Sequence, residues 1–196
     1  MSSFYSDEEL RRLGFNEIGN NVKISRKASL YGTNAIRLGN NVRIDDFCIL
    51  SGNIQLGNNV HIAAYVAIFA GNYGVLMEDY TAISSRSVIY AASDDYSGEF
   101  LTNPTIPEEY CHVYGGMVTL KKHVIVGTGS TIMPGVTIGI GTAVGCMSLV
   151  NKDLPEWGIY AGIPCRFIKE RKRDVLSLEK KYIDKYKVVN NIESLP

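Results

Sequence analysis

The stretch from Val126 to Gly145 reads VGTGSTIMPGVTIGIGTAVG, and its aliphatic residues Val126, Ile132, Ile138 and Val144 recur at every sixth position. This period matches neither the ~3.6 residues of an α-helical turn nor the alternation of a simple β-strand. It is typical of a repeat in which each unit supplies a short strand and a turn. Three such units close one triangular coil with the aliphatic side chains inside. The stretch therefore predicts a parallel β-helix.

The same register extends towards both ends of the chain. Its other members are Ile18, Ile24, Leu30, Leu38, Ile44, Leu50, Leu56, Ile62, Ile68, Met77, Ile83, Ile89, Leu120 and Val150. Asn-Asn pairs at 20–21, 40–41 and 58–59 fall at predicted corners, where Asn tolerates left-handed backbone dihedrals. A β-sandwich with evenly spaced strands is the alternative, and so many aliphatic residues in one register argue against it.

The rest of the chain is organised around these coils as a single all-β domain. A capping box at Ser6–Glu9 opens the first helix. The segment 91–117 has no hexads, and a long loop inside a compact domain is usually functional. We expect the two helices to cap the prism of coils. The predicted boundaries are 1–17 for an N-terminal helical cap, 18–90 for β-helix coils, 91–117 for an extended loop, 118–168 for further coils and a tail, and 169–196 for a C-terminal α-helix.

Composition excludes several classes of partner. The 196 residues carry twenty acidic and twenty basic side chains, so the net charge is zero. This balance argues against a nucleic-acid partner and a polybasic membrane anchor. No apolar run approaches the ~20 residues of a membrane span. Four cysteines without CxxC spacing favour reduced thiols and a cytoplasmic location.

An outward-facing apolar column is predicted on one side of the prism. Stacking the coils aligns Ile49, Ala67 and Val88, and an apolar column on a polar surface needs a cover. A second copy of the chain in a cyclic trimer is the simplest cover, and the loop of the same chain is the alternative.

Two segments carry a resemblance to a known family: Val126–Gly145 and the sequence KDLPEWGIYAGIPCRFIKE at 152–170. With these segments the chain resembles the hexapeptide-repeat acyltransferases, including galactoside and maltose acetyltransferases. The resemblance implies that the β-helix is left-handed and that three copies form a homotrimer. It also implies that acyl-CoA (acetyl-CoA or a short hydroxyacyl-CoA) is the co-substrate, that CoA lies in the groove between subunits, and that no metal takes part.

The resemblance also implies a set of CoA-binding residues. The family uses main-chain groups in the late coils and basic residues near the end of the chain, and the matching positions here are Thr128, Cys146, Lys152, Arg166 and, less closely, Lys169. Arg and Lys suit the phosphates of CoA, and small residues let the pantetheine arm approach the backbone. Ordinary solvated charge is the alternative for Lys152 and Arg166.

The catalytic pattern of the galactoside acetyltransferases is not retained. Their His that deprotonates a sugar hydroxyl aligns with Asp94, and a companion Asn falls near Ala63. A hydroxyl needs a good base as it attacks, whereas a neutral amine is already nucleophilic. A carboxylate at 94 can attract the ammonium form and accept its proton. The exchange therefore favours an amino-sugar acceptor, with O-acetylation of a glycoside hydroxyl as the alternative.

A closer resemblance supports the same acceptor. The segments SDDYSG at 93–98 and LTNPTIPE at 101–108 resemble N-acyltransferases that act on dTDP-linked 4-amino-4,6-dideoxyglucose, as in anthrose biosynthesis. Asp94 is then the proposed base, and its neighbour Asp95 is the main rival. Ser84 follows an inward Ile and predicts an outward hydroxyl that donates to the oxyanion or relays a proton, with a plain surface Ser as the alternative.

Three histidines complete the set of candidate residues. His61 is predicted on the outer surface, between Arg43 and Ala82, and is a candidate catalytic residue that either supports the reacting groups or binds substrate, with a plain surface His as the alternative. His123 is expected at an exposed corner, and His112 lies in the loop. A γ-class carbonic anhydrase would need three metal-binding His around one ion, and this spacing disfavours it. A non-catalytic scaffold is disfavoured by the CoA tail motif.

Overall fold

The structure is a computed structural model that describes residues 3–192, with side chains up to residue 185. The end of the predicted C-terminal helix, 193–196, therefore lies outside the described residues.

Two α-helices are present, α1 (Asp7–Arg12) and α2 (Asp174–Ile192), with 3-10 helices at Thr33–Ala35 and Glu108–Tyr110. The strands in chain order are β1 (Glu17–Ile18), β2 (Lys23–Ile24), β3 (Ser29–Tyr31), β4 (Ile36–Leu38), β5 (Arg43–Ile44), β6 (Ile49–Leu56), β7 (His61–Ile62), β8 (Ala67–Met77), β9 (Ala82–Ile83), β10 (Val88–Tyr90), β11 (Ala92–Asp94), β12 (Val113–Gly115), β13 (Val118–Leu120), β14 (Ile125–Val126), β15 (Thr131–Ile132), β16 (Thr137–Ile138), β17 (Ala143–Val144), β18 (Leu149–Val150), β19 (Gly158–Ala161) and β20 (Arg166–Glu170).

Most strands pair in parallel and wind into stacked coils, which confirms the predicted left-handed parallel β-helix. Each coil has three faces. The first face stacks β1, β4, the second halves of β6 and β8, β13 and β16. The second face stacks β2, β5, β7, β9, β14, β17 and β19, and β20 adds to its end in antiparallel orientation. The third face stacks β3, the first halves of β6 and β8, β10, β15 and β18.

The residues of the six-residue register form the core, as predicted. Ile44, Ile62 and Val126 are fully buried, and only the first coil departs, where Ile18 and Leu30 are partly buried. Burial of these apolar side chains is the main favourable contribution to folding. The core therefore runs as one continuous column through the stacked coils.

The corner between the first and second faces explains the Asn-Asn pairs. Asn21, Asn41 and Asn59 adopt positive φ, between +54° and +56°, as the sequence predicts. The Nδ2 of Asn21 also donates to the Oδ1 of Asn41 in the next coil at 2.8 Å. These side chains thus both permit the turn and tie adjacent coils together.

The insertion at 91–117, called the arm below, has structure of its own. Strands β11 and β12 pair in antiparallel orientation, and the N–H of Gly116 donates to the carbonyl of Ala91 at 2.9 Å, which closes the base of the arm. The coils continue across it, since β10 pairs with β15 directly beyond. The extended loop predicted here therefore has ends that pair locally in antiparallel orientation, which satisfies their backbone groups.

The helices differ from each other in position. The capping box of α1 forms, because the Ser6 hydroxyl accepts from the N–H of Glu9 and the Glu9 carboxylate accepts from that of Ser6. Helix α2 lies along the side of the prism instead of closing an end. Its Glu179 accepts from His123 at 2.8 Å and from Lys122 at 2.6 Å.

His123 corrects a further expectation. The sequence predicts an exposed corner, but α2 covers this residue and only 4% of it is exposed. Its ring also stacks on that of Tyr80 with centroids 5.2 Å apart. His123 is thus a packing residue under α2, and the six-residue register alone gives no signal of the cover.

Candidate functional site

A line of small and polar residues runs along the outer edge of the second face. Each coil contributes the residue that follows its inward-facing one. The N–H of each such residue donates to the carbonyl of the inward-facing residue in the next coil, as from Ser84 to Val126 at 2.9 Å. We call this line the groove. Its partly buried members are Asp45, Ala63, Ser84, Gly127, Gly145 and Ala161, and the equivalent residue of the first coil, Ser25, is buried.

Ser84 lies in the middle of the groove. The residue is half-buried, and among the described residues no protein group forms a hydrogen bond with its Oγ. Ala63 precedes it by one coil and Gly127 follows it, so both neighbours leave room above the hydroxyl. An uncommitted hydroxyl on a rigid strand is suited to donate to a substrate oxygen.

His61 lies on the same face and has a partner that sequence reasoning missed. Register places it between Arg43 and Ala82, as predicted. Its Nε2 is 2.8 Å from a carboxylate oxygen of Asp45, and the Nε of Arg43 donates to the other oxygen at 2.7 Å. Burial alone would raise the pKa of Asp45, but the hydrogen bonds from His61 and Arg43 outweigh it and lower that pKa. The outward position of Asp45, directly after inward Ile44, was the available signal.

Asp94 and Asp95 have different surroundings. Asp94 ends β11 and lines a cleft of about 430 Å³ together with Tyr90 and Met133. Within the described part of the chain, its carboxylate forms no hydrogen bond or ion pair. Asp95 instead accepts from the hydroxyl of Ser97 at 2.6 Å and from its N–H at 2.9 Å, and this lowers the pKa of Asp95. Of these two adjacent carboxylates, that of Asp94 is therefore the one without a partner among the described residues.

The structure does not bring Asp94 and Ser84 together within one chain. Ser84 precedes β10 and Asp94 follows it, so the whole third face lies between them. At about 3.3 Å per residue along a strand, the two side chains are on the order of 15 Å apart. Ser84 and His61 share one surface, and Asp94 lies on another.

The predicted CoA-binding residues follow the groove towards the C-terminal end. Thr128 and Cys146 are exposed and one coil apart, because the N–H of Met147 donates to the carbonyl of Thr128 at 2.8 Å. Arg166 and Lys169 are exposed on β20, and Arg166 pairs with Ala161. Burial raises the pKa of the Cys165 thiol, while the charge of Lys152 opposes that shift. Lys152 and Arg166 therefore lie near the same end of the groove.

The histidines do not form a metal site. His61 contacts Asp45, His123 contacts Glu179, and His112 packs against Phe100 with ring centroids 5.1 Å apart. In residues 3–192, no cluster of three or more His, Cys, Asp or Glu side chains is arranged to hold a metal ion. None of the helices described in this chain has the length and apolar character needed to cross a membrane.

Comparison with known proteins gives consistent matches. A model of the bacterial transferase hexapeptide, with six repeats, matches residues 35–70. The dTDP-4-amino-4,6-dideoxy-D-glucose acyltransferase of Escherichia coli is 45% identical over 179 residues, which cover 89% of this chain and 93% of that protein. The galactoside O-acetyltransferase of Escherichia coli (strain K12) is 31% identical over 141 residues, which cover 69% of this chain and 64% of that protein.

Solved structures of AntD, an N-acyltransferase from Bacillus cereus, have nearly the same fold. The complex of AntD with dTDP and 3-hydroxybutyryl-CoA is 53% identical, covers 95% of this chain and 100% of that chain, and has a TM-score of 0.93. Other AntD structures contain the D94A, D94N or S84A variant with CoA and either dTDP or dTDP-4-amino-4,6-dideoxyglucose. This chain has Asp and Ser at the positions with those numbers.

Proposed function

The chain belongs to the dTDP-4-amino-4,6-dideoxyglucose acyltransferases of the hexapeptide-repeat group, and we propose that it acylates the 4-amino group of this nucleotide-linked sugar from acyl-CoA. The co-substrate is acetyl-CoA or a short hydroxyacyl-CoA. The observation that carries the proposal is the Asp94 carboxylate, which lines a cleft and is open to a ligand.

The reaction is a direct transfer. The amine nitrogen attacks the thioester carbonyl carbon, and the resulting tetrahedral intermediate collapses with cleavage of the C–S bond. Asp94 accepts the proton that the nitrogen loses, and CoA leaves as a thiolate that is then protonated. Ser84 donates a hydrogen bond to the oxyanion, because its hydroxyl has no other partner among the described residues.

CoA occupies the C-terminal half of the groove in this proposal. Thr128 and Cys146 offer exposed backbone beside the pantetheine arm, and Lys152, Arg166 and, at the far end, Lys169 offer charge to the phosphates. Phosphate contacts to Lys and Arg are charge-assisted and therefore among the stronger hydrogen bonds. His61, oriented by Asp45, lies beside the acceptor half of the groove and binds the substrate there.

A homotrimer supplies the complete site. Because Asp94 and Ser84 are far apart in one chain, we propose that Asp94 of one subunit meets Ser84 of the next. The apolar column supports such packing, since Ile49, Ala67 and Val88 are in register on the third face and each is only partly buried. A cyclic trimer repeats this contact three times.

The protein is proposed to act in the cytoplasm. Its four cysteines are free thiols, as expected of a reducing compartment. Its charge balance and small-molecule groove give no reason to expect a nucleic-acid or membrane partner.

Acceptor screening tests this function. Purified protein with 3-hydroxybutyryl-CoA or acetyl-CoA should release free thiol with dTDP-4-amino-4,6-dideoxyglucose, and mass spectrometry should place the acyl group on nitrogen. The matched control is dTDP-6-deoxyglucose, which has a hydroxyl in place of the amine. Turnover of the hydroxyl sugar with none of the amino sugar would favour the O-acetyltransferase alternative.

A further inference from the structure

Helix α2 leaves a pocket between itself and the second face, beside the contacts that dock it. The volume of this pocket is about 460 Å³, which lies in the range typical of small-molecule sites, ~300–1,000 Å³. The coils contribute Tyr80, Ala82 and Ile125 to its walls, and the helix contributes Val175, Leu178 and Tyr182. We call this space the α2 pocket. None of the residues assigned above to acyl transfer lines it.

Apolar side chains form much of the wall of the α2 pocket, and two of them stay exposed although they line the space between helix and coils. Ile125 on β14 is 41% exposed, and Leu178 on α2 is 59% exposed. An apolar molecule between the helix and the coils would remove both side chains from water, which is favourable. The α2 pocket therefore suits a ligand with an apolar body.

Arg171 brings a positive charge to the α2 pocket without a counter-ion. Its Nη1 donates to the carbonyls of His123 and Gly141, both at 2.9 Å, and to that of Thr142 at 3.5 Å. Among the described residues, its Nε and Nη2 donate to no protein group. In that part of the chain no fully buried side-chain nitrogen or oxygen lacks a hydrogen bond, so these two donors are accessible to a ligand. Burial lowers the pKa of Arg171, and no acidic group opposes that shift.

The other charged residue that lines the α2 pocket is already paired. Glu179 contacts Lys122 at 2.6 Å and His123 at 2.8 Å, so its charge is balanced within the chain. The Nε and Nη2 of Arg171 form one edge of its guanidinium, and such an edge can bind both oxygens of a carboxylate. A single free edge beside an apolar wall therefore fits a monocarboxylate with an apolar body.

We propose that the α2 pocket binds a medium-chain monocarboxylate, whose carboxylate pairs with the Nε and Nη2 of Arg171 and whose apolar body packs between Ile125 and Leu178. The site is distinct from the groove, because the pocket includes residues that precede the second-face strands, such as Tyr80 before β9, whereas Ser84 of the groove follows β9. A second copy of the chain is the other class of occupant. Charge complementarity favours the carboxylate, because apolar packing against a second copy would bury the guanidinium without an anion.

Binding of octanoate to the purified full chain tests the site. Calorimetry should show one saturable site per chain, and octanoate should raise the melting temperature, because a ligand held between α2 and the coils stabilises the folded state. Octanol has the same apolar tail without the charge, and acetate has the charge without the tail, so each should bind at least ~10-fold more weakly. Saturating CoA should leave the octanoate affinity unchanged, because the groove is the site proposed for CoA.

Two variants and a control separate charge recognition from the apolar contact. Arg171→Gln removes the charge and should weaken octanoate about 10- to 100-fold, while the affinity for octanol stays unchanged. Lys180→Gln makes the same charge change at an exposed position of α2 and should bind octanoate as wild type does. Ala82→Phe fills the pocket from β9 and leaves the Arg171 side chain in place, so it should weaken octanoate and octanol alike. Thermal melting checks that each variant is folded.

Four results would overturn the carboxylate site. The first is failure of the wild type to bind octanoate, or equal affinity for octanoate and octanol. The second is displacement of octanoate by CoA, which places the carboxylate in the groove. The third is unchanged octanoate affinity in both Arg171→Gln and Ala82→Phe. The fourth is a lower molar mass of Ala82→Phe in light scattering, which assigns the pocket to a subunit interface. No acceptor sugar enters these assays, so none of the results bears on the acyl transfer proposed above.

Discussion

Asp94 and Asp95 are adjacent in the sequence, yet only one of them has a carboxylate that is open to a ligand. Asp95 is engaged by both the hydroxyl and the N–H of Ser97, whereas Asp94 faces the cleft beside Tyr90. The two hydrogen bonds that Asp95 accepts stabilise the local turn and favour the ionised form of its carboxylate. The choice between the two carboxylates therefore depends on local contacts that alignment alone does not contain.

Replacement of Asp94 tests its role as a base. Asp94→Asn preserves size but removes basicity, so kcat/KM for the amino sugar should fall by roughly 10²–10⁴-fold, the usual range for general acid–base catalysis. High pH should partly restore the rate, because the free amine then dominates. Asp95→Asn can still accept from Ser97 and is the matched control. Ser84→Ala should cost less than Asp94→Asn. Full activity in Asp94→Asn with collapse in Asp95→Asn would show that the assignment is reversed.

The basic residues at the end of the groove predict a cofactor effect. Arg166→Ala and Lys152→Ala should each raise the KM for acyl-CoA by about 10- to 100-fold with a smaller change in kcat, because a charge-assisted phosphate contact is present in both ground and transition states. Lys172→Ala is the control, since Lys172 is exposed and forms no ion pair in the described chain. An unchanged KM in both test variants would remove these residues from the CoA site. A donor without the 3′-phosphate identifies which phosphate is contacted.

For individual residues, the sequence pattern predicts whether a side chain faces inward or outward better than it predicts which side chain it contacts. The register correctly places His61 outward between Arg43 and Ala82. It does not predict the Asp45 contact, because that depends on side-chain rotamers two coils from Ser84. Inward-facing residues are predictable because a two-residue strand has one buried side, whereas outward contacts depend on what else folds onto that side.

Helix α2 shows this dependence at the scale of an element. Its helical spacing is visible in the sequence, but its docking site is created by the Tyr80–His123 stack and by the Lys122 and His123 contacts to Glu179. The arm is similar, since its missing hexads predict an insertion but not the pairing of β11 with β12. The sequence predicts that helix α2 and the arm exist, but their positions depend on long-range contacts that the sequence pattern does not contain.

The Glu179 contacts predict how α2 contributes to stability. Burial alone would raise the pKa of Glu179, but the hydrogen bonds from Lys122 and His123 lower it below its ordinary value of 4.5. A carboxyl with a lower pKa in the folded state stabilises above its unfolded pKa, and the contribution disappears as pH falls through the folded pKa. Glu179→Gln should therefore lower the free energy of unfolding by about 1–3 kcal/mol at pH 7.

The pH dependence distinguishes this effect from a packing defect. Urea denaturation should show the difference between wild type and Glu179→Gln narrowing as pH falls below about 4.5, where the unfolded carboxyl becomes protonated, until the folded carboxyl is protonated too. Asp184→Asn, an exposed carboxylate on the same helix without an ion pair in the described residues, should behave as wild type throughout. A constant difference from pH 7 to pH 3 would contradict the electrostatic explanation.

At the scale of the whole molecule, the proposed homotrimer makes the reaction centre depend on assembly. Ile49→Arg puts a charge into the apolar column and should weaken self-association by about 2 kcal/mol or more, roughly thirtyfold. Activity per chain should fall in parallel, because Asp94 and Ser84 then come apart. Ile140→Arg, on an exposed Ile outside the column, is the control. If light scattering shows that Ile49→Arg is a monomer and the turnover assay shows full activity, the proposed site shared between subunits is refuted.

The unbroken register across the arm has a consequence for how such enzymes diversify. Val88 pairs with Thr131 and Ile89 with Ile132 as if residues 91–117 were absent, and Ala91 and Gly116 meet at the base of the arm. We therefore expect that the arm can be exchanged as one unit, by recombination at its two ends, without changes to the β-helix coils. Chimeras that carry the arm of a relative with another acceptor should fold as well as the parent. The junction between Ala91 and Gly116 is therefore a suitable place to change the acceptor specificity.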